Sequence, residues 1–258
     1  MQNFEQTYNL IISNFKLFLA IVFRVGGLIF TAPFFGHRSI HFLLRIGLIL
    51  LISLIILPVF SVNGTNLPNQ FPSFILVLVR EVVIGALIGV LFYLLFWGIE
   101  MGGSLLGLQL NLETDNQEEG SSPVARLQVF LGLLIFLGLN GHHLLLSAIF
   151  QSFELIPVGE LKLSSLALEH VWQFSGSVFL IALKISAPVI ITLFILDLLL
   201  GILSRTTPQS NLYSNFMPLR LGTGLLILAL SFPVFKTIIE KLLLNTNSEV
   251  TEVLKNLR

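Results

Sequence analysis

The sequence contains no cysteine. That excludes a disulfide framework, a thiolate nucleophile and any metal centre built on sulfur, and it removes redox usage as a guide to compartment. Charge is nearly as scarce: 11% of the 258 residues are Asp, Glu, Lys or Arg, and 14 of each sign leave no net charge. Without a basic run the electrostatic footprint of a nucleic-acid binder is missing, so nucleic acid is not expected as a partner. The patterns H-E-x-x-H, G-x-S-x-G and the P-loop are absent, and no Asp/Glu pair is placed with a histidine for general acid–base work. His37 and His41 would share a helix face as two zinc ligands do, but no third ligand lies nearby in sequence. Neither an enzyme nor a cofactor or metal site is predicted. The N-terminal MQNFEQTYNL carries Glu5 and no basic residue, and no small-residue cleavage site follows, which argues against a cleaved signal peptide.

Hydrophobic residues, by contrast, make up 55% of the chain and the mean hydropathy is +0.92. Such a chain belongs in lipid or against large apolar partner surfaces, and an integral membrane protein is predicted. Its apolar stretches are nevertheless irregular. Asn9 to Phe30 is interrupted by Lys16 and Arg24; Ile46 to Phe60 is short for a span; Phe74 to Ile99 holds Arg80 beside Glu81. Val178 to Leu203 holds Lys184 and Asp197, about 20 Å apart along one helix and therefore unable to pair within it. Each buried charge needs a partner on another helix, because an isolated one costs several kcal/mol in hydrocarbon. His37, Arg38, His41 and Arg45 make the most basic connection, placed toward the cytoplasm by the positive-inside tendency.

Three pairs of glycines spaced i, i+4, namely Gly85/Gly89, Gly98/Gly102 and Gly103/Gly107, predict close helix–helix approach, within this chain or to its neighbours. Leu127 to Phe153 is long enough to span but carries Asn140-Gly141-His142-His143 at its middle, read as a helix break or an interhelical hydrogen-bond site ahead of a proton relay. Leu161 to Val171 alternates apolar and polar residues and reads as interfacial; Ser204 to Ser214 reads as a turn; Lys236 to Arg258 reads as an amphipathic helix fraying into water. Between the apolar helices lies an acidic loop with Glu113, Asp115, Glu118 and Glu119. These carboxylates cannot sit in hydrocarbon, so the loop must reach water or a water-filled passage.

Several blocks in fixed order resemble the FliR family of the type III export gate, which has flagellar and virulence branches. They are Gly107-Leu108-Gln109, Pro123-Val124-Ala125-Arg126, Asn140-Gly141-His142, Ser152-Phe153 and Pro157-Val158-Gly159. Supporting matches are Arg24 with Thr31-Ala32-Pro33, Glu81 with Gly85, and Arg205 with Pro208-Gln209 and Asn211. The resemblance implies an all-α integral membrane protein of helical hairpins, at the bacterial inner membrane in the flagellar basal body. Residues 1–168 would be a P-like part and residues 169–258 a Q-like hairpin with its tail. It further implies a single copy closing a helical ring with P-type and Q-type subunits, contact with the B-type switch subunit and with lipid, and passage of unfolded substrates. The segment after Gly107-Leu108-Gln109 would plug the ring, here residues 109–122 and chiefly Gln109, Leu110, Asn111, Leu112, Glu113, Thr114 and Asp115.

In the family that segment carries apolar and aromatic residues and an Asp-Pro step, which this chain replaces by Leu110-Asn111-Leu112-Glu113-Thr114-Asp115-Asn116. Leu110 and Leu112 are therefore expected to supply the apolar constriction. A secondary transporter using Arg80, Glu81, Lys184 and Asp197 as an ion path is the alternative, although no internal repeat links the two halves. An intramembrane enzyme using His142, His143 and Glu100 is a third reading, against which no nucleophile is paired with the histidines.

Overall fold

Apolar segments with no water to satisfy their amides close their hydrogen bonds within the segment, and a helix is the local way to do so. The computed structural model describes residues 2–33, 41–60, 67–68, 70–112, 122–161, 164–206 and 212–257. Among them are eight helices and no strand: α1 (Gln2–Thr31), α2 (Phe42–Phe60), α3 (Phe71–Gln109), α4 (Pro123–Gly138), α5 (Gly141–Leu155), α6 (Ser165–Thr206), α7 (Leu212–Leu230) and α8 (Phe232–Asn256). The protein is all-α, as its sequence predicts. Four helices (α1, α2, α3 and α6) are long and apolar enough to cross a membrane; α4 with α5, and α7 with α8, qualify only as bent pairs, giving up to six spans among the described residues.

Boundaries differ from the expectations in instructive ways. Helix α2 begins at Phe42 and takes in Arg45, so it has 19 residues and is no longer short for a span. Helix α3 continues through the glycine-punctuated run to Gln109; its 39 residues extend roughly 58 Å, nearly twice the hydrocarbon thickness. Helix α6 has 42 residues and absorbs Pro188. The tail is ordered and packed: α8 runs to Asn256 and buries Val250, Val253, Leu254 and Leu257. Of the basic connection, His37 and Arg38 lie outside the described residues, and His41 immediately precedes α2.

The chain divides into two compact units, each assembled from separate stretches. The first comprises residues 1–94, 140–175 and 245–258. Its core holds Ile21, Val25 and Leu28 of α1, Ile84, Ile88 and Phe92 of α3, and Ile149 of α5. Helix α8 is tied to α5 by Thr251 Oγ1, 3.3 Å from Gln151 Oε1. The second comprises residues 95–139 and 176–244. One of its clusters joins Leu106 and Leu110 of α3, Val124 of α4, and Val189 and Leu193 of α6.

The three glycine pairs of α3 each seat a different helix. A Cβ at Gly85 would meet the Arg24 carbonyl oxygen, and one at Gly89 the Thr31 hydroxyl, both on α1. Gly98 and Gly102 face Ile181 and Ala182 of α6; Gly103 and Gly107 face Ala125 of α4 and its cap Ser122. The close approaches are intramolecular: α3 seats α1 in the first unit, and α6 and α4 in the second. Large apolar side chains still face outward, among them Leu43, Leu51, Leu54 and Ile55 on α2 and Phe179, Phe194, Leu198 and Leu199 on α6. Exposed apolar area on this scale marks contact with lipid or partner subunits.

Candidate functional site

In the first unit the charge that interrupts α1 finds its partners at the end of α5. Arg24 is fully buried, and its Nε donates to Glu81 Oε2 of α3 at 2.5 Å. Its Nη1 donates to the Ser152 carbonyl at 2.9 Å and, with Nη2, to the Ile156 carbonyl at 3.1 Å. The last carbonyls of a helix carry partial negative charge and have acceptor capacity to spare, Ser152 O taking the Ile156 amide as well, so the guanidinium fork suits them geometrically and electrostatically. Phe153 lies under the guanidinium at 4.1 Å from its ring centroid, and the ring of Phe60 on α2 packs against Phe153 at 5.3 Å between centroids.

Glu81 is also fully buried, and its second oxygen accepts from the Gly159 amide at 2.9 Å. Arg80 donates to the Gly159 carbonyl at 3.2 Å. The neighbours Arg80 and Glu81 thus engage other segments, as their angular separation on a helix requires. Gly159 has φ +88°, a conformation that L side chains adopt only with strain. Its Cβ position is uncrowded, with Val77 at 3.5 Å, so Gly159→Ala tests backbone conformation alone. The expected outcome is a loss of roughly 1–3 kcal/mol, read as a lower unfolding temperature of the detergent-solubilised protein; no change in that temperature would remove the strain assignment.

Helix α3 ends in the second unit with a Schellman cap. Asn111 adopts φ +53°, its amide donates to Leu108 O at 3.2 Å, and the Leu112 amide donates back to Gly107 O at 2.9 Å. Across the acidic segment the chain resumes at Ser122, the N-cap of α4, whose hydroxyl accepts from the Ala125 amide at 3.1 Å and donates to Gly103 O at 3.3 Å. Pro123 occupies the first turn of α4, where its missing N–H costs nothing. Both ends of the segment are therefore pinned to the last two turns of α3. Leu110 is buried in the cluster with Leu106, Val124, Val189 and Leu193, and fills the space left by Gly224 of α7. Leu112 packs partly buried on the same cluster. Leu110 is therefore an anchor inside its own unit. Glu113, Thr114 and Asp115 lie outside the described residues. The side-chain oxygen of Gln109 accepts from Arg220 Nη2 of α7 at 3.1 Å, and Arg220 Nη2 also pairs with Asp197 of α6 at 3.1 Å.

The chain matches the family described as "Bacterial export proteins, family 1" over residues 15–246. It is 28% identical to the flagellar biosynthetic protein FliR of Bacillus subtilis (strain 168), over 96% of this chain and 97% of that protein. It is 30% identical to FliR of Escherichia coli (strain K12), covering 88% of each, and 31% identical to FliR of Pectobacterium carotovorum, covering 91% and 89%. The chain belongs to the FliR family of bacterial export proteins. With its apolar helices, membership makes it a bacterial inner-membrane protein of the flagellar basal body and a component of the flagellar export apparatus.

The residues that carry the family resemblance divide by what they do. Arg24, Glu81, Gly85, Phe153, Pro157 and Gly159 lie in or beside the buried Arg24 node, Pro157 through the turn in which the Glu160 amide donates to its carbonyl. Gly107 and Pro123 pin the acidic segment. Pro33 follows the end of α1 at Thr31. Gly141 is buried just after Asn140, whose left-handed φ of 57° breaks α4 from α5. The tetrad is thus a helix break; His142 is half-buried and stacks near His143, ring centroids 4.2 Å apart. Arg126 and Arg205 are exposed, and Pro208 and Gln209 lie outside the described residues.

The charges of the transporter reading do not stand free: Glu81 and Asp197 are each engaged by a guanidinium, and Lys184 is exposed. Among the described residues one group with metal-ligand geometry occurs, His170 with Glu249 and Glu252. Its side chains are a third or more exposed, a setting in which acidic groups commonly gather without an ion. Sequence reasoning missed Arg220 altogether. The sign was available: a lone arginine in the apolar run MPLRLGTGLL needs an anionic partner elsewhere.

Proposed function

We propose that this chain is a structural core subunit of the flagellar type III export gate, closing a helical channel-forming ring with P-type and Q-type subunits. Its segment from Gln109 to Ser122 plugs the passage taken by unfolded substrates. Residues 1–168 act as the P-like part and residues 169–258 as the Q-like hairpin; the B-type switch subunit and lipid are the remaining contacts. The chain acts by assembly and gating, without chemistry. One observation carries the reading: a segment with four carboxylates is pinned at both ends to two turns of an apolar helix, in a chain whose other apolar faces are uncovered. Carboxylates held there need water, and a conduit enclosed by sibling subunits supplies it. Glu81 and Asp197, engaged by arginines, serve the packing of this chain and not an ion path.

The absence of native cysteine makes a direct test available. Single cysteines from Leu112 to Ser121, in the assembled gate, are expected to crosslink to an export substrate arrested in transit. Silence at every position, with the gate assembled and secreting, would reject the plug assignment.

A further inference from the structure

Two adjacent glycines of α1 are used in opposite ways. A Cβ at Gly27 would meet the Val82 carbonyl oxygen of α3, so that glycine lets the two helices touch, whereas a Cβ at Gly26 would meet only Ile49 Cδ1 of α2, at 3.9 Å. The room left beside Gly26 belongs to a groove of about 360 Å³ between α1, α2 and α3, all within the first unit. Exposed Phe23 and Phe30 flank it, and Ile49, Val82 and Ala86 complete its walls. Its one polar side chain, Thr31, spends its hydroxyl proton on the Gly27 carbonyl at 2.7 Å, so the groove offers no side-chain donor and accepts hydrocarbon. A helix, roughly 10–12 Å across with its side chains, is too wide for such a space, and a single acyl chain is not. All three walls lie on helices long and apolar enough to cross a membrane, where acyl chains are the solvent. One end of the groove is basic. Phe30 packs against Phe42, ring centroids 6.3 Å apart, while Gly26 faces Ile49, so α1 and α2 run antiparallel and α2 begins at the Phe30 end. There His41 precedes α2, and Arg45 stands one turn before Ile49 on the same helix face, about 6 Å nearer that end. A guanidinium on its long stem reaches headgroup level from such a position, and the positive-inside tendency turns this end to the leaflet whose anionic headgroups attract cations. We propose that this groove binds an anionic phospholipid of the membrane, one acyl chain lying along Gly26 and Ala86 and the phosphate facing Arg45 and His41.

The test uses the full chain in its assembled export complex, reconstituted in lipid nanodiscs with a trace of phosphatidylglycerol that carries a diazirine on its acyl chain. After irradiation the adducts are mapped by peptide mass spectrometry. They are expected on Phe23, Phe30 and Ile49. Unlabelled phosphatidylglycerol should displace them about fivefold better than phosphatidylcholine of the same chains, the factor that one arginine near the membrane surface contributes. Arg45→Gln should remove that preference and keep the adducts. Gly26→Leu and Ala86→Leu, which fill the groove from different walls, should each lower the adducts about tenfold, the equivalent of two methylenes kept from burial. The wild-type result decides first: no adduct in the groove, as a partner helix or a second copy seated there would give, overturns the proposal. Adducts that persist in both filled variants overturn it too. Equal displacement by the two lipids overturns the anionic headgroup, and a preference that survives Arg45→Gln overturns the role of Arg45.

Discussion

Arg24→Ala is expected to abolish accumulation of the folded protein. The substitution strands Glu81 in a fully buried site and removes the donors that serve the Ser152 and Ile156 carbonyls. Removing one partner of a buried ion pair costs roughly 3–5 kcal/mol, a large share of the roughly 5–15 kcal/mol that holds a domain folded. Glu81→Ala should fall in the same range, since it leaves the guanidinium uncompensated and the Gly159 amide without its acceptor. The double variant is expected to be less damaging than the sum of the two, by about 1–3 kcal/mol of coupling. Arg24→Lys should rescue only in part: an ammonium keeps the charge but lacks the planar fork that reaches two carbonyls and a carboxylate together. Unfolding temperature in detergent and abundance in membranes check all four. Wild-type values for Arg24→Ala would show that the node is dispensable.

The second large effect concerns a methyl group. Gly85→Ala places a Cβ against the backbone carbonyl of Arg24 and near the Leu28 amide, at 2.9 Å. Backbone atoms of a packed helix cannot step aside as a flexible side-chain tip can, so α1 must move off α3, and with it Arg24 off Glu81. Overpacking of this kind costs about 1–3 kcal/mol before any loss at the ion pair. Gly47→Ala in α2 and Gly176→Ala in α6 are the controls. Each is a helical glycine with nothing within 4 Å of the position its new methyl would take, so each should be neutral or, from helix propensity, stabilising by roughly 0.5–1 kcal/mol. Equal damage at Gly85, Gly47 and Gly176 would mean that glycine here serves flexibility, and the close-packing account would be lost.

The two variants probe one construction. Within the first unit helix α3 carries Glu81 and the glycine pair that seats α1; within the second it carries the pairs that seat α6 and α4, and the Schellman cap. The first unit is locked by a buried ion pair, which is poor as a source of net stability but strict about geometry, because each of the three guanidinium nitrogens has a fixed acceptor. The second uses apolar packing around Leu106 and Leu110, with Arg220 bridging Asp197 and Gln109 beside it.

By itself the sequence determined the solvent, the secondary structure class and the family. Hydrophobic content near 55% with 11% charge admits a membrane helix protein and little else, and blocks such as Gly107-Leu108-Gln109 and Asn140-Gly141-His142 are local in the chain, so order and spacing reveal them. It also showed that Arg24, Glu81 and Asp197 each required a partner, because the cost of a buried charge is a property of the residue and its surroundings in sequence. Which partner each takes was decided by tertiary structure alone. Glu81 meets Arg24 across 57 positions and Arg220 meets Gln109 across 111, separations over which no periodicity carries information. The burial of Leu110 shows the same limit: the left-handed turn at Asn111 and the socket at Gly224 seat it in the core of its unit, and the socket lies more than a hundred positions away. Local composition fixes what a residue needs, whereas the satisfaction of that need depends on helices that meet only once the chain has folded.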